Sequence, residues 1–237
     1  CNNNIVLKGI LSNAIGISLY GLDHFNNTVS NCHILNYSYG IYLSGLPGVS
    51  LPVYDNVIKE NIIEKNTYGI YLVWEFDNNT IEKNIVFNNS YGIFIDISPP
   101  SNMKPSNNNI SNNNLINNTK QANDNGTNNN WDVSGEGNYW SNYDTVAEGC
   151  INSNGDLFCD SPYRNISGIA GSNDSFPFVV QDGWLLGPQA SQPMPIQVIS
   201  DVEMVKGKTT LIRVPISFKS LQSNDTITPI VKLYWNN

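Results

Sequence analysis

The chain has 237 residues, a formal charge of −8 and a sequence pI near 4.6, enough for one or two domains. Up to residue 163 it has no Arg and only six Lys, which argues against a nucleic-acid partner, because phosphate binding needs a basic face. No apolar run reaches the length of a membrane span.

The first 130 residues repeat. Asn61 to Leu72 reads N-I-I-E-K-N-T-Y-G-I-Y-L, and 23 residues later Asn84 to Ile95 reads N-I-V-F-N-N-S-Y-G-I-F-I. Tyr39-Gly40-Ile41-Tyr42-Leu43 with Ile34-Leu35 is an earlier copy, and Ile15-Gly16-Ile17-Ser18-Leu19 after Ile10-Leu11 is an earlier one still. Downstream, Asn114-Leu115-Ile116 follows Asn107-Asn108-Asn109-Ile110, and the Gly position decays into Lys120-Gln121-Ala122. The intervals between the glycines are 24, 29 and 23 residues; the long one holds a Pro/Gly-rich insertion at 45–52, and a second insertion at 98–105 stretches Asn84 to Asn114 to 30. A period in this range with insertions at fixed points predicts a stacked array, one short coil per repeat. The Y-G-I-Y-L runs alternate as strands do. Gly precedes each where a side chain would clash or φ must be positive, and Asn suits left-handed corners and amide ladders between rungs. These residues therefore predict an all-β right-handed parallel β-helix of about five rungs over 1–130.

Residues 131–178 change character. Trp131-Asp132, Gly137-Asn138-Tyr139-Trp140-Ser141-Asn142-Tyr143 and Ser161-Pro162-Tyr163 supply aromatics suited to covering the open end of the helix, or alternatively to forming a sugar-binding platform. Within this cap, Cys150 and Cys159 bracket a loop and predict a disulfide in an oxidising compartment. The loop carries oxygen ligands at Asn152, Asn154, Asp156 and Asp160, a backbone carbonyl at Phe158, and further carboxylates nearby at Asp144 and Glu148. That spacing predicts Ca2+ as cofactor, the alternative being an Asn/Asp-Gly turn stapled by the disulfide. Cys32 stands in the position that Asn61 and Asn84 fill in later rungs, and is either a buried free thiol or a partner for Cys1.

The segments Asn130-Trp131-Asp132, Gly137 to Tyr143, Asn152 to Asp160, Ser161-Pro162-Tyr163 and Asp174-Ser175-Phe176-Pro177 resemble the end of the NosD-like parallel β-helix repeat family, common in surface-layer-associated and other secreted proteins of methanogenic archaea. The resemblance covers about residues 1–178 and implies a β-helix closed by this cap. It is specific for architecture and weak for function. The chain departs from the family pattern in the loop, where Asn twice replaces Asp and a Cys pair is present. The copper role attached to the family name finds no compact ligand set, since His24, His33, three Met and four Cys are scattered.

Residues 179–195 read as a Pro-containing linker. From Ile196 to 237, I-Q-V-I-S-D-V-E-M-V, T-T-L-I-R-V-P-I-S-F and I-V-K-L-Y-W alternate as strands and resemble the opening of an immunoglobulin-like β-sandwich. Such a domain needs about 100 residues and about 42 remain, so the expectation is a longer protein or strands supplied by a neighbour. Opening at Cys1 without Met, partway through a rung, likewise predicts an upstream segment. Sequons occur at Asn26, Asn36, Asn78, Asn88, Asn109, Asn117, Asn125, Asn165, Asn173 and Asn224, of which Asn78, Asn109 and Asn125 are placed at turns.

Together these features predict a non-catalytic extracellular structural or adhesive glycoprotein of a cell surface (surface layer, sheath or filament), with self-assembly or other envelope proteins as partners. Two alternatives stand beside it. A polysaccharide-active lyase, hydrolase or uronate epimerase would rest on Tyr20, Asp23 and His24, similar to the Tyr-Gly-x-Asp-Pro-His motif of alginate epimerases but lacking its Pro. A passive glycan-binding module would rest on Trp74, Trp131 and Trp140.

Overall fold

A computed structural model describes residues 4–6, 14–21, 25–45, 53–97 and 103–186. The chain divides into two compact units, Cys1–Leu185 and Leu186–Asn237. The β-sandwich reading for 196–237 and most of the linker fall outside the described residues. Residues 179–185, which read as linker, belong to the first unit.

The strands follow the repeat. β1 (Asn4–Val6) and β2 (Ile15–Tyr20) begin the stack; β3 (Thr28–Ser30), β4 (Cys32–Leu35) and β5 (Tyr39–Ser44) make the next coil. β6 (Val53–Tyr54), β7 (Val57–Lys59), β8 (Ile62–Glu64) and β9 (Tyr68–Val73) follow, then β10 (Phe76–Asp77), β11 (Thr80–Glu82), β12 (Ile85–Phe87) and β13 (Tyr91–Asp96). β14 (Asn109–Ser111), β15 (Asn114–Ile116) and β16 (Lys120–Asp124) form a further coil, and β17 (Tyr139–Trp140) opens the cap. All strand pairs between coils are parallel, giving a six-stranded sheet (β1-β4-β8-β12-β15-β17), a five-stranded sheet (β2-β5-β9-β13-β16), a four-stranded sheet (β3-β7-β11-β14) and the short pair β6-β10. This is the parallel β-helix that the repeat predicts.

The rungs are written in a five-residue unit. Residues 78–82 read Asn-Asn-Thr-Ile-Glu, 83–87 read Lys-Asn-Ile-Val-Phe, and 88–92 read Asn-Asn-Ser-Tyr-Gly. The first residue of each turns the corner in the left-handed region: Asn78 at φ 55°, Lys83 at 56° and Asn88 at 54°. The second points inward. In the first two units the remaining residues run out, in, out along a short strand, with Ile81 and Val86 fully buried. The corners are not reserved for Asn: Asp55, Glu60, Lys65 and Lys83 also adopt positive φ, because the strand pairing on either side fixes the bend.

The inward Asn residues form three ladders. Asn56 donates its backbone N–H (2.8 Å) and Nδ2 (2.9 Å) to Asn79 Oδ1, and Asn79 repeats this on Asn108, which repeats it on Asn129. The second ladder runs Asn61–Asn84–Asn113–Asn138 and the third Asn66–Asn89–Asn118, with donor–acceptor distances of 2.9–3.1 Å. Each amide also donates to backbone carbonyls of the preceding turn, as Asn84 Nδ2 does to Ile58 O and Glu82 O. Buried backbone groups at the corners, which no strand can pair, are thereby satisfied. Cys32 stands at the head of the second ladder: its N–H donates to Asn61 Oδ1, and its buried free thiol donates to Ser30 O.

Gly69 follows from packing rather than φ. A Cβ there would lie 2.6 Å from Gly92 O and 2.8 Å from Val86 Cγ1, so the coil closes only with hydrogen at that point. Between the sheets, Ile34, Ile63, Val86 and Leu115 form one buried column, with Ile41, Ile70 and Ile93 in another.

Candidate functional site

The cap is built from the ends of the ladders. Asn138 finishes the second one, and where a further rung would place an Asn oxygen, Asp174 Oδ2 accepts the Asn138 N–H at 2.7 Å. The same oxygen accepts the Trp140 indole N–H at 2.8 Å, and Asp174 Oδ1 accepts Phe176 N–H at 3.0 Å. Asn129 finishes the first ladder on Asp124 Oδ1 (3.0 Å), while Asp124 Oδ2 takes the Trp131 indole N–H (2.9 Å) and the Ser172 hydroxyl (2.7 Å). The third ladder ends within its own coil, Asn118 Nδ2 donating to Gln121 Oε1 at 2.8 Å. Two ladders thus end on a buried carboxylate that also fixes a tryptophan. Burial pushes the Asp174 carboxyl up to about 7 against the pull of its donors. Gly137 has no room for a side chain, since a Cβ would overlap the Asp174 carboxylate.

The unpaired strand edges are closed as well. Phe178 N–H donates to Asn138 O (2.9 Å) beside β17, and Asp124 N–H donates to Ser167 O (2.7 Å) beside β16. Trp131, Trp140 and Tyr163 fill the end of the core, with Trp140 stacked on Tyr163 at 4.0 Å and 17°. Burial raises the Tyr163 phenol to about 12. With Trp131 and Trp140 only 1% and 0% exposed, neither can offer a ring face to a sugar, so the platform alternative loses two of its three tryptophans. Trp74, at a positive-φ corner after β9, is half-exposed.

The loop of 152–160 carries no cation cage. Cys150 and Cys159 are joined in a disulfide with their Cα atoms 4.9 Å apart. Within the loop the side-chain oxygens bond nearby donors: Asn152 Oδ1 accepts Gly155 N–H, Asn154 Oδ1 accepts Asp156 N–H, and Asp156 accepts Phe158 N–H and Asn154 Nδ2. Asp160 Oδ2 accepts both the N–H and the hydroxyl of Ser153, which hold its carboxyl below the usual range. Asp144 accepts from the Tyr139 hydroxyl, and Glu148 from the N–H and hydroxyl of Thr145. The oxygens close successive turns instead of converging on one point.

Tyr20, at the end of β2, is 51% exposed; Asp23 and His24 fall outside the described residues. Of the sequon residues, Asn26, Asn36, Asn78, Asn88 and Asn117 occupy positive-φ corners. Asn109 begins β14 rather than a turn, and Asn125 Oδ1 accepts Ile169 N–H. Asn165 is exposed, Asn173 Nδ2 donates to Ser175 Oγ, and Asn224 lies outside the described residues.

A feature missed in the sequence lies on the outer face of the five-stranded sheet. Tyr39, Tyr68 and Tyr91 stack at 5.1 and 4.9 Å with planes 8° and 12° apart, and Tyr42, Tyr71 and Phe94 stack beside them at 5.6 and 5.8 Å. Within each rung the two rings meet edge to face, at 5.3, 5.0 and 5.0 Å. The signal was available: aromatics recur at the same two positions of three consecutive repeats.

Fold and cap define a capped parallel β-helix repeat protein. Residues 1–145 match the family described as Periplasmic copper-binding protein (NosD), and the chain belongs to that family. It is accordingly an extracytoplasmic protein. No curated protein matches it, and no solved structure does. The family's description names copper, which overturns the expectation of Ca2+. Nor do the described residues fit copper. His33 Nε2 lies 2.8 Å from Glu64 Oε1 on the outer face, Cys32 is buried beside it, and no three His, Cys, Asp or Glu among the described residues group to hold a metal. No helix among them is long and apolar enough to cross a membrane.

Proposed function

We propose that the chain is a non-catalytic structural element of the cell envelope, with the exterior of its β-helix as the working part. The observation that carries this reading is the continuity of the amide ladders into a cap that ends them. Every coil is tied to the next through buried side chains as well as strands, and the end is sealed against further stacking. The surroundings of the acids favour the same reading. Glu64 pairs with Lys65 and His33, Asp77 accepts from Ser106, and Asp96 accepts from Tyr71, so these rung carboxylates serve packing rather than a reaction. A cleft of about 420 Å3 in the cap is lined by Asn128, Asn130, Asp132, Ser172 and Asn173 among others, amides and hydroxyls with a single acid.

Antibody labelling and electron microscopy of envelopes from the source cells test this. Label on an ordered layer, sheath or filament is the expected result. Protein found free in the medium, or product released from a uronate polymer by the purified chain, would overturn it.

A further inference from the structure

We propose that the outer face of the five-stranded sheet is a binding strip for an extended, neutral polysaccharide. The inference deepens the envelope reading by naming what the β-helix holds, and rests on that reading for the polymer's presence. The strip consists of Tyr39, Tyr42, Tyr68, Tyr71, Tyr91 and Phe94, all half-buried. It includes five of the chain's twelve tyrosines. The fold alone does not ask for them. On the four-stranded sheet the equivalent positions hold Thr28 and Ser30, Val57 and Lys59, Thr80 and Glu82, and Asn109 and the buried Ser111, with no aromatic among them.

The geometry decides how such a surface binds. Because the rings stack on one another along the helix axis, their faces are used up and their edges are left for a ligand; the Tyr71 hydroxyl is taken by Asp96 Oδ2 at 2.7 Å and Phe94 has none, so the column Tyr39, Tyr68 and Tyr91 supplies the phenol donors. That column shows the same amphipathic edge again at every rung, about 4.8 Å on, beside the ring edges of Tyr42, Tyr71 and Phe94. A polymer lying along the axis, with units recurring near that spacing, meets identical phenol donors and ring edges at each step, and weak contacts add. Tyrosine provides both contact types at a small entropic cost, and here the stack has already fixed the side chains. Packing matters to ionisation too: burial first, then the Asp96 bond, raises the Tyr71 phenol, and burial raises those of Tyr42 and Tyr68, so these three hold their protons more firmly.

Charge selects among polymers. On a chain of formal charge −8, the strip is bordered among the described residues by one acid, Asp96, held by the Tyr71 hydroxyl at 2.7 Å, and one base, Lys120, whose Nζ sits 5.9 Å from the Tyr91 ring centre. That single Lys among the described residues does not balance a run of uronate carboxylates, whereas hydroxyl-rich neutral sugars need only donors and apolar edges.

The test is co-sedimentation of the purified full chain with suspended cellulose, chitin and mannan, with polygalacturonate as the charged comparison. Retention on at least one neutral polymer is expected. Tyr68→Lys should abolish it, and the combined Tyr39→Phe, Tyr42→Phe, Tyr68→Phe, Tyr91→Phe variant, which keeps the stack, should weaken it about tenfold or more. Should Tyr68→Lys fail to fold, the phenylalanine variant decides. Retention on none of the neutral polymers, retention on polygalacturonate alone, binding indifferent to both variants, or self-association through the strip would each overturn the proposal. Such a failure leaves the envelope labelling untouched, while free protein that still binds a neutral polymer would sink the envelope reading and keep the strip.

Discussion

The rungs and the cap satisfy the same requirement by different means. In the rungs, each buried corner amide meets a copy of itself one coil away, so the neutral Asn84 can serve as acceptor for Asn61 and donor to Asn113. In the cap no further copy exists, and the last Asn of two ladders meets a carboxylate, which only accepts. A ladder of amides always leaves a donor-rich end. Asp124 and Asp174 are placed where that excess falls, and each uses its remaining capacity to fix an indole. The difference shows that repetition solves the middle of a solenoid and leaves its end to be solved by residues brought from far along the chain.

The largest predicted effect breaks the repeating side of this comparison. Asn84→Ala orphans the Asn61 backbone N–H and takes one partner each from Asn61 Nδ2, Ile58 O and Asn113 Oδ1, which keeps the backbone N–H of residue 84, in the middle of the stack. It should cost roughly 4 kcal/mol or more, read as a lower denaturant midpoint. Asn84→Asp keeps the acceptor and should lose less near pH 4 than near pH 7. Equal losses from the two variants would show that the ladder contributes through shape alone.

On the cap side, Asp174 makes stability depend on pH. It holds its proton more tightly folded than unfolded, so the stability it contributes is complete below its ordinary range near 4 and is lost as pH rises through about 7. The swing is on the order of 4 kcal/mol at most. Glu64, held low first by Lys65, acts in the opposite sense and only as pH falls below about 4. Asp174→Asn should flatten the thermal-melt profile between these limits. An unchanged profile would place the titration elsewhere. Opening the Cys150–Cys159 link, which spans nine residues, should cost about 2–3 kcal/mol. The loss should appear in hydrogen exchange of residues 150–160 before it reaches the rungs.

The rungs were legible because one register repeats: the period, the glycine and the buried aliphatic positions are all local, and strand pairing copies them from coil to coil. The cap was legible only as a set of aromatics and a motif. That Asp174 completes the ladder of Asn138, 36 residues away, is a long-range fact that Asp174-Ser175-Phe176-Pro177 carries without displaying. The loop misled because Asx residues at alternate positions suit both a cation cage and a run of turns, and spacing does not reveal which way an oxygen points. The tyrosines were read for alternation, whereas their stacking depends on which repeats lie next to one another.

The smallest effects sit at the corners and sharpen the contrast between pairing and propensity. Lys83 adopts φ 56° with its side chain exposed, a conformation that costs an ordinary residue about 1–2 kcal/mol and glycine nothing. Lys83→Gly should stabilise the protein by about 0.5 kcal/mol once the extra freedom of unfolded glycine is counted. Asn78→Gly, at an equivalent corner, should change stability less, because Asn already tolerates the left-handed region. The same slot explains five of the sequons: an Asn for the corner, a residue at the head of or within a ladder, then an outward Ser or Thr, as in Asn78-Asn79-Thr80 and Asn88-Asn89-Ser90. Glycopeptide mapping of protein from its source should therefore find any sugar on exposed corners such as Asn78, Asn88 and Asn117. Sugar on Asn125, whose side chain accepts from Ile169, would show that modification precedes the fold and ignores its register.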